Sequence, residues 1–134
     1  EKLIIFDLDE TLTHCTLNDS PDQWENSEII ISIPGKKQKA PINIWKSAWE
    51  CLREAGKHFE VVVFTASVKD YADAILDFLD PEDSLIHHRF YRDSCIQRVF
   101  PQGDKFYVKD LRIFENFDLK DIVIVDNAVY SFIN

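Results

Sequence analysis

The chain has 134 residues, with 15 Lys and Arg against 24 Asp and Glu, a formal net charge of -9. So acidic a surface repels phosphate backbones and anionic headgroups, which argues against direct nucleic-acid binding and against docking on an acidic membrane. No apolar run exceeds four residues, excluding a transmembrane helix and the core of a signal peptide. The length suits one domain, residues 1–134, and 3 Gly with 5 Pro exclude a low-complexity or collagenous chain. Three Cys, with no C-x-x-C, fit reduced thiols in the cytoplasm or nucleus better than a disulfide framework or a zinc site. There is no Met, hence no initiator, so the chain is expected to be a piece of a longer one. Nothing in the composition speaks to oligomeric state.

Three short apolar runs organise the chain: Leu3-Ile4-Ile5-Phe6, Val61-Val62-Val63-Phe64 and Ile122-Val123-Ile124-Val125. Continuous β-branched and aromatic runs predict strands buried on both faces, as in a parallel sheet. Between the first and second runs, Glu28 to Ile33 and Lys36 to Ile42 around Pro34-Gly35 predict a hairpin inserted after the first strand. Trp45, Ala48, Trp49 and Leu52 share a helical face, predicted to lie in the core, with Gly56 as the C′ residue. Tyr71, Ala74, Ile75, Phe78 and Leu79 form a second helical stripe. Ser67 and Asp70 read as its capping box, and Asp80-Pro81 ends it. Cys95 to Phe100 and Lys105 to Val108, joined by Pro101-Gln102-Gly103-Asp104, predict another hairpin. Strand–helix alternation makes the fold class α/β.

Each apolar run ends in polar groups for which a core has no use. Asp7-Leu8-Asp9-Glu10-Thr11 follows Phe6, Thr65 follows Phe64, and Asp126-Asn127 follows Val125. Ligands of open parallel sheets bind beyond the carboxyl ends of the strands, so this topology gathers Asp7, Asp9, Thr65, Asp126 and Asn127 in one cleft. Converging carboxylates need a cation. Hard oxygen ligands in small number suit Mg²⁺, which takes a substrate phosphate as a further ligand. Lys109, the Thr65 hydroxyl and backbone N–H groups from Thr65 to Ser67 are the candidate phosphate donors.

These residues carry a resemblance. Asp7-Leu8-Asp9-Glu10-Thr11-Leu12 resembles the nucleophile motif of the haloacid dehalogenase superfamily. With Phe64-Thr65-Ala66-Ser67, Tyr71-Ala72-Asp73, Tyr91-Arg92-Asp93-Ser94-Cys95, Tyr107-Val108-Lys109-Asp110-Leu111 and Val125-Asp126-Asn127 in order, the chain resembles the phosphatases of the RNA polymerase II C-terminal domain, the small-phosphatase and NLI-interacting-factor-like group. The resemblance implies a Rossmann-like α/β fold, a mainly parallel sheet flanked by helices, with small hairpin insertions and no large cap. It implies a Mg²⁺-dependent protein serine/threonine phosphatase. Asp7 would be the nucleophile, forming an aspartyl-phosphate, and Asp9 the general acid and base. Thr65 and Lys109 would hold phosphate oxygens, with Ser67 and Arg92 as further substrate contacts. Metal ligands would be Asp7, the backbone carbonyl of Asp9, and Asp126 and Asn127, the choice of direct ligand between the last two left open.

The implied partner is a phosphoprotein or phosphopeptide, with polymerase-tail phosphoserine first and a lipin-type phosphoprotein as alternative. Relatives carry Arg-Pro where this chain reads Ile44-Trp45-Lys46-Ser47-Ala48-Trp49, and Ser-Pro where it has Ala128-Val129. They also continue through a further strand and helix, so a chain truncated at its C-terminus is expected. A non-catalytic binding module resembling import receptors and a receiver-type signalling domain are the rival classes. Intact Asp7, Asp9, Thr65 and Lys109 count against the first, and an acidic pair after the first strand against the second. Of the other polar residues, His87-His88 is read as surface. Arg92 is expected to pair with phosphate or with a carboxylate. Lys36-Lys37-Gln38-Lys39 is read as a solvated tip or an acidic-peptide dock, and the thiols as inert.

Overall fold

A computed structural model of the chain describes residues 1–15, 27–32 and 39–132. The first apolar run forms β1 (Leu3–Phe6), the second β5 (Glu60–Phe64) and the third β9 (Ile122–Val125), joined at the far edge by β6 (His88–Phe90). All pair in parallel in the order β6-β5-β1-β9. In register, Phe6 lies between Val63 and Val125, so the polar residues that follow these strands emerge side by side.

Alternation along the central strands splits the core in two. Ile4, Phe6, Val61 and Val63 face α1 (Ala48–Ala55) and α2 (Lys69–Leu79), whose Ala48, Leu52, Ala72, Ile75, Leu76 and Leu79 are buried against them. Leu3, Ile5, Val62 and Phe64 face the other way, onto Phe90, Phe114 and Phe117. Phe64, Phe90 and Phe114 pack with ring centroids 5.3 to 6.2 Å apart. Both described α-helices therefore lie on one face, and an aromatic segment covers the other.

The insertion after β1 is a three-stranded antiparallel sheet in the order β2-β4-β3, made of β2 (Thr13–Cys15), β3 (Ile29–Ser32) and β4 (Lys39–Ile44). Its two longer strands are the expected hairpin. Pro34-Gly35 and Lys36-Lys37-Gln38 lie outside the described residues. The second hairpin is β7 (Cys95–Val99) and β8 (Lys105–Lys109), closed by Gly103 at φ 101° and by stacking of Phe100 on Phe106 at 4.1 Å.

Several expectations are corrected. The last run is not buried on both faces: Val123, Ile124 and Val125 are 43%, 37% and 37% exposed, because β9 is an edge strand and the helices sit over β1 and β5. Trp45 is not core. It precedes α1, bonds through its N–H to the Leu12 carbonyl, and is 45% exposed with its ring 5.0 Å from His14. Trp49 does pack on the core and donates its indole N–H to the Leu79 carbonyl at 2.8 Å. Ser67 makes no capping bond, since α2 starts after Val68 and the Ser67 hydroxyl is used elsewhere. The stripe of α2 rotates towards Ala72, Ile75, Leu76 and Leu79, leaving Phe78 exposed. Gly56 ends α1 at φ -63°, with no left-handed turn.

Asp80 shows how α2 is terminated. Its buried carboxylate accepts the backbone N–H groups of Ser84, Leu85 and Ile86 at 2.9, 3.0 and 3.0 Å, fixing the turn that feeds β6. Asp80→Ala strands those donors, each worth about 1–3 kcal/mol when buried without a partner. The expected outcome is a loss of at least about 2 kcal/mol in urea unfolding at unchanged slope; a loss below about 0.5 kcal/mol contradicts this account.

Candidate active site

The site forms where β1, β5 and β9 end, with one residue delivered from β8. Asp7 follows β1 and is tied to β9 by its N–H to the Val125 carbonyl at 2.9 Å. Leu8 then drops fully into the core. Its carbonyl collects the N–H groups of Thr11, Leu12 and Thr13 at 3.3, 3.0 and 3.2 Å, and the Thr13 hydroxyl at 3.3 Å. The reversal needed for this puts Glu10 at φ 60°, a left-handed conformation that costs a side chain about 1–2 kcal/mol. Asp7 and Asp9 are thus held by a loop pinned at its middle residue.

Lys109 is 2% exposed, and its ammonium lies 2.8 Å from Asp7 Oδ1 and 2.5 Å from Asp126 Oδ2. Burial pushes the Asp7 carboxyl up to about 6. The Lys109 charge and hydrogen bond work against that rise, and Asp126 adds to it. The second Asp7 oxygen accepts the Thr11 hydroxyl at 3.3 Å. The carboxamide of Asn127 also reaches this oxygen, at 2.8 Å, and Asp126 Oδ1 at 3.3 Å. Without a cation the amide nitrogen is the end that satisfies both carboxylates. With its oxygen turned inward, the carboxamide would put a third oxygen beside Asp7 Oδ2 and Asp126 Oδ1.

Asp9 is held on the other side. The Ser67 hydroxyl donates to its Oδ2 at 2.7 Å and the Thr65 hydroxyl at 3.4 Å, while Thr65 Oγ1 accepts the Ser67 N–H at 3.1 Å. The Tyr71 phenol belongs to this group, its pKa raised by burial and by the Asp9 carboxylate. Asp9 Oδ2 is thus engaged by two hydroxyls on the side of β5.

Among the described residues, no three His, Cys, Asp or Glu side chains gather into a metal cage. Two carboxylates and an amide are nevertheless the donor set of a cation that keeps several waters, so Asp7, Asp126 and Asn127 fit Mg²⁺. Asp126 has one oxygen taken by Lys109 and the other by the Ala128 N–H at 2.9 Å, whereas the Asn127 carboxamide is aimed at Asp7.

These groups border a cleft of about 330 Å³ lined by Asp7, Asp9, Lys109, Asp126 and Asn127, with Lys105, Phe106 and Tyr107 along one wall. A larger groove, about 970 Å³, runs between β9 and the start of α1, but it is mainly apolar and includes none of the carboxylates at the strand ends. The chemistry is in the smaller cleft.

Sequence reasoning thus found the cluster Asp7, Asp9, Thr65, Ser67, Lys109, Asp126 and Asn127, which the fold brings together. Arg92 is adjacent but pairs with no carboxylate among the described residues. Its Nε donates to the Ala66 carbonyl at 2.7 Å and its guanidinium lies 4.6 Å from the Tyr107 ring centre. Thr65 and Ser67 serve Asp9 more directly than they face the cleft. His87 and His88 are exposed and outside the site: His87 Nδ1 accepts the Val61 N–H, and His88 faces Glu60. Cys95 lies opposite Lys109 in the hairpin, with burial pushing its thiol up to about 11, as expected for an inert cysteine. Thr11, Tyr71, Lys105 and Tyr107 were not assigned roles. Thr11, Tyr71 and Tyr107 stood inside the motifs, whereas Lys105 becomes visible only through the register of β7 and β8.

The charge geometry has a measurable consequence. In metal-free protein the Asp7 carboxyl is expected to titrate near pH 6 by carbon-detected NMR. Lys109→Met should move that midpoint upward, because the ammonium is what lowers it; a downward move contradicts the assignment.

The family model for NLI interacting factor-like phosphatases matches residues 2–134. The chain is similar to Phosphatase PSR1 of Saccharomyces cerevisiae, 38% identical over 99% of this chain and 29% of that protein. It is also similar to the human Carboxy-terminal domain RNA polymerase II polypeptide A small phosphatase 2, 36% identical over 97% of this chain and 45% of that protein. It spans less than half the length of either relative. Among solved structures, a fission yeast RNA polymerase II CTD phosphatase Fcp1 variant bound to beryllium fluoride superposes with a TM-score of 0.75 at 18% identity, covering 98% of this chain and 38% of that one. That likeness establishes the fold.

Proposed function

From the premise that the chain belongs to the NLI interacting factor-like phosphatase family, we propose that it hydrolyses phosphoserine or phosphothreonine in proteins, with Mg²⁺, through an aspartyl-phosphate on Asp7. The observation that carries this reading is the separation of two carboxylates on one loop. Asp7 sits with Lys109, Asp126 and Asn127, whereas Asp9 is held across the cleft by Ser67 and Thr65.

The Asp7 carboxylate attacks phosphorus in line with the leaving serine or threonine oxygen. The P–O bond to that oxygen breaks, and Asp9 supplies its proton. A water then attacks the phosphorus, Asp9 takes its proton, and Asp7 leaves with inorganic phosphate as product. Lys109 offsets charge on the equatorial oxygens, and the Thr65 and Ser67 hydroxyls become donors to phosphate as Asp9 turns to the leaving group. Arg92, carried on the Tyr107 ring beside the cleft, is the outer contact to the phosphopeptide. Asn127 and Asp7 would hold Mg²⁺ directly and Asp126 through a water, a choice supported by the Asn127 carboxamide facing the Asp7 oxygen that Lys109 does not hold. Bound there, the cation would neutralise carboxylate and phosphate so that one anion can approach another.

The name of the human relative supports polymerase-tail phosphoserine as first substrate, with a lipin-type phosphoprotein as the alternative. The three free thiols support a reducing compartment, cytoplasm or nucleus.

The test is turnover of para-nitrophenyl phosphate and of a phosphoserine peptide, with Mg²⁺ and with chelator. Asp7→Asn and chelator are each expected to abolish both activities. Asp9→Asn should lose about 10²–10⁴-fold on the peptide and far less in the first step on the nitrophenyl ester, whose leaving group needs no proton. Binding of phosphopeptide without turnover by the folded full-length protein would replace the enzyme by a binding module.

A further inference from the structure

The wall of the cleft formed by β8 has a gradient that the reaction does not use. Lys105 is exposed, Phe106 and Tyr107 are half-buried, and Val108 and Lys109 are buried, so the strand runs from solvent down to the nucleophile. Side chains alternate across a strand, which puts Lys105, Tyr107 and Lys109 on one face. All three line the cleft. Across the hairpin, Val99 lies opposite Lys105 and Gln97 opposite Tyr107. Arg92 covers the Tyr107 ring midway along this row.

The three cations are not equivalent. Lys109 is balanced by Asp7 and Asp126, and Arg92 is fixed to the Ala66 carbonyl. The Lys105 side chain makes no hydrogen bond or ion pair among the described residues. Its position is nonetheless defined, because the turn behind it is held by the Phe100–Phe106 stack and by the Phe100 N–H to the Asp104 carbonyl at 2.7 Å. Glu10, the acidic rim residue opposite, has its carboxylate occupied by the Cys15 N–H and His14. In a chain of net charge -9, an unpaired ammonium on the wall of the catalytic cleft is a selective feature.

We infer that Lys105 reads a second negatively charged residue of the phosphopeptide, three or four positions from the residue being dephosphorylated. The spacing follows from geometry: four residues of strand place Lys105 about 13 Å from Lys109, and an extended peptide advances about 3.3–3.6 Å per residue. Val99, 60% exposed beside Lys105, offers the intervening peptide an apolar contact. Phosphoserine and glutamate are the two sources of such a charge. The inference rests on the phosphopeptide reading above and assigns part of its selectivity.

The experiment compares three kinds of non-hydrolysable phosphonate peptide by fluorescence anisotropy. The first kind carries only the scissile-site mimic, the second adds a phosphonate mimic of phosphoserine and the third adds glutamate, each added charge placed in turn at three and at four residues on either side. Dissociation constants are measured for the wild-type chain, Lys105→Arg and Lys105→Glu, with nitrophenyl phosphate turnover followed in parallel. The ratio between singly and doubly charged peptides cancels any general change in the protein. Wild type and Lys105→Arg are expected to favour a doubly charged peptide about threefold to fivefold at low salt, more for phosphoserine than for glutamate, and Lys105→Glu to lose or reverse the preference. An equal ratio in wild type, or one that survives Lys105→Glu, overturns the inference. Loss of nitrophenyl phosphate turnover in the wild-type chain instead counts against the enzyme reading, and the binding ratio still decides the role of Lys105.

Discussion

Parallel pairing of β1 with β9 places Asp7 and Asp126 one residue beyond the register partners Phe6 and Val125, so two carboxylates leave the sheet as neighbours. Like charges this close cannot both remain ionised in a buried site unless a cation lies between them. The Lys109 ammonium takes that place, and the rest of the site follows from it. It ties the β7–β8 hairpin to the sheet by charge, and it brings Asp7 towards ionisation against the pull of burial. The ionised triad of two carboxylates and one ammonium keeps a single net negative charge. A divalent ion and a phosphate dianion can be added without accumulating charge of either sign, which is the condition for nucleophilic attack of one anion on another.

The pair Asp7 and Asp9 differs in surroundings more than in sequence position. Leu8, buried between them, fixes the loop to the core, and the left-handed Glu10 turns the chain back so that Thr11 reaches Asp7. Asp9 is bonded to hydroxyls and Asp7 to an ammonium, a difference the proposed reaction would use to make Asp7 the nucleophile and Asp9 the acid and base. One loop thereby supplies two chemically distinct acids.

What could be read from the residues alone was whatever burial on both sides imposes locally. β1 and β5 are interior strands, and their runs are continuously apolar for that reason. The Ile122–Val125 run has the same composition, yet its exposure follows from being the sheet edge, a property of strand order and not of letters. β6 escaped notice because His88-Arg89-Phe90 is a three-residue edge strand with no apolar run. Ser67 had the spacing of a helix cap, but its hydroxyl is taken by Asp9 58 positions away, and local patterns carry no information about that competitor. Asp73 illustrates the same limit. A motif residue by sequence, it is a hub joining Lys69, Arg89 and Tyr91, with its carboxyl held below the usual range by their hydrogen bonds in spite of burial. The convergence of strand-end polar groups was legible because parallel topology dictates it. The row along β8 was not, since it depends on hairpin register.

The exposed β9 edge sets a colloidal condition on the isolated chain. An edge strand with apolar side chains and unpaired backbone groups is a template for strand addition by another copy. Here the surplus of 9 negative charges holds copies apart. That protection has the range of a Debye length, about 10 Å at 0.1 M salt and about 3 Å at 1 M. Solubility of this chain should therefore fall as ionic strength rises, because screening removes the charge that keeps the sheet from growing.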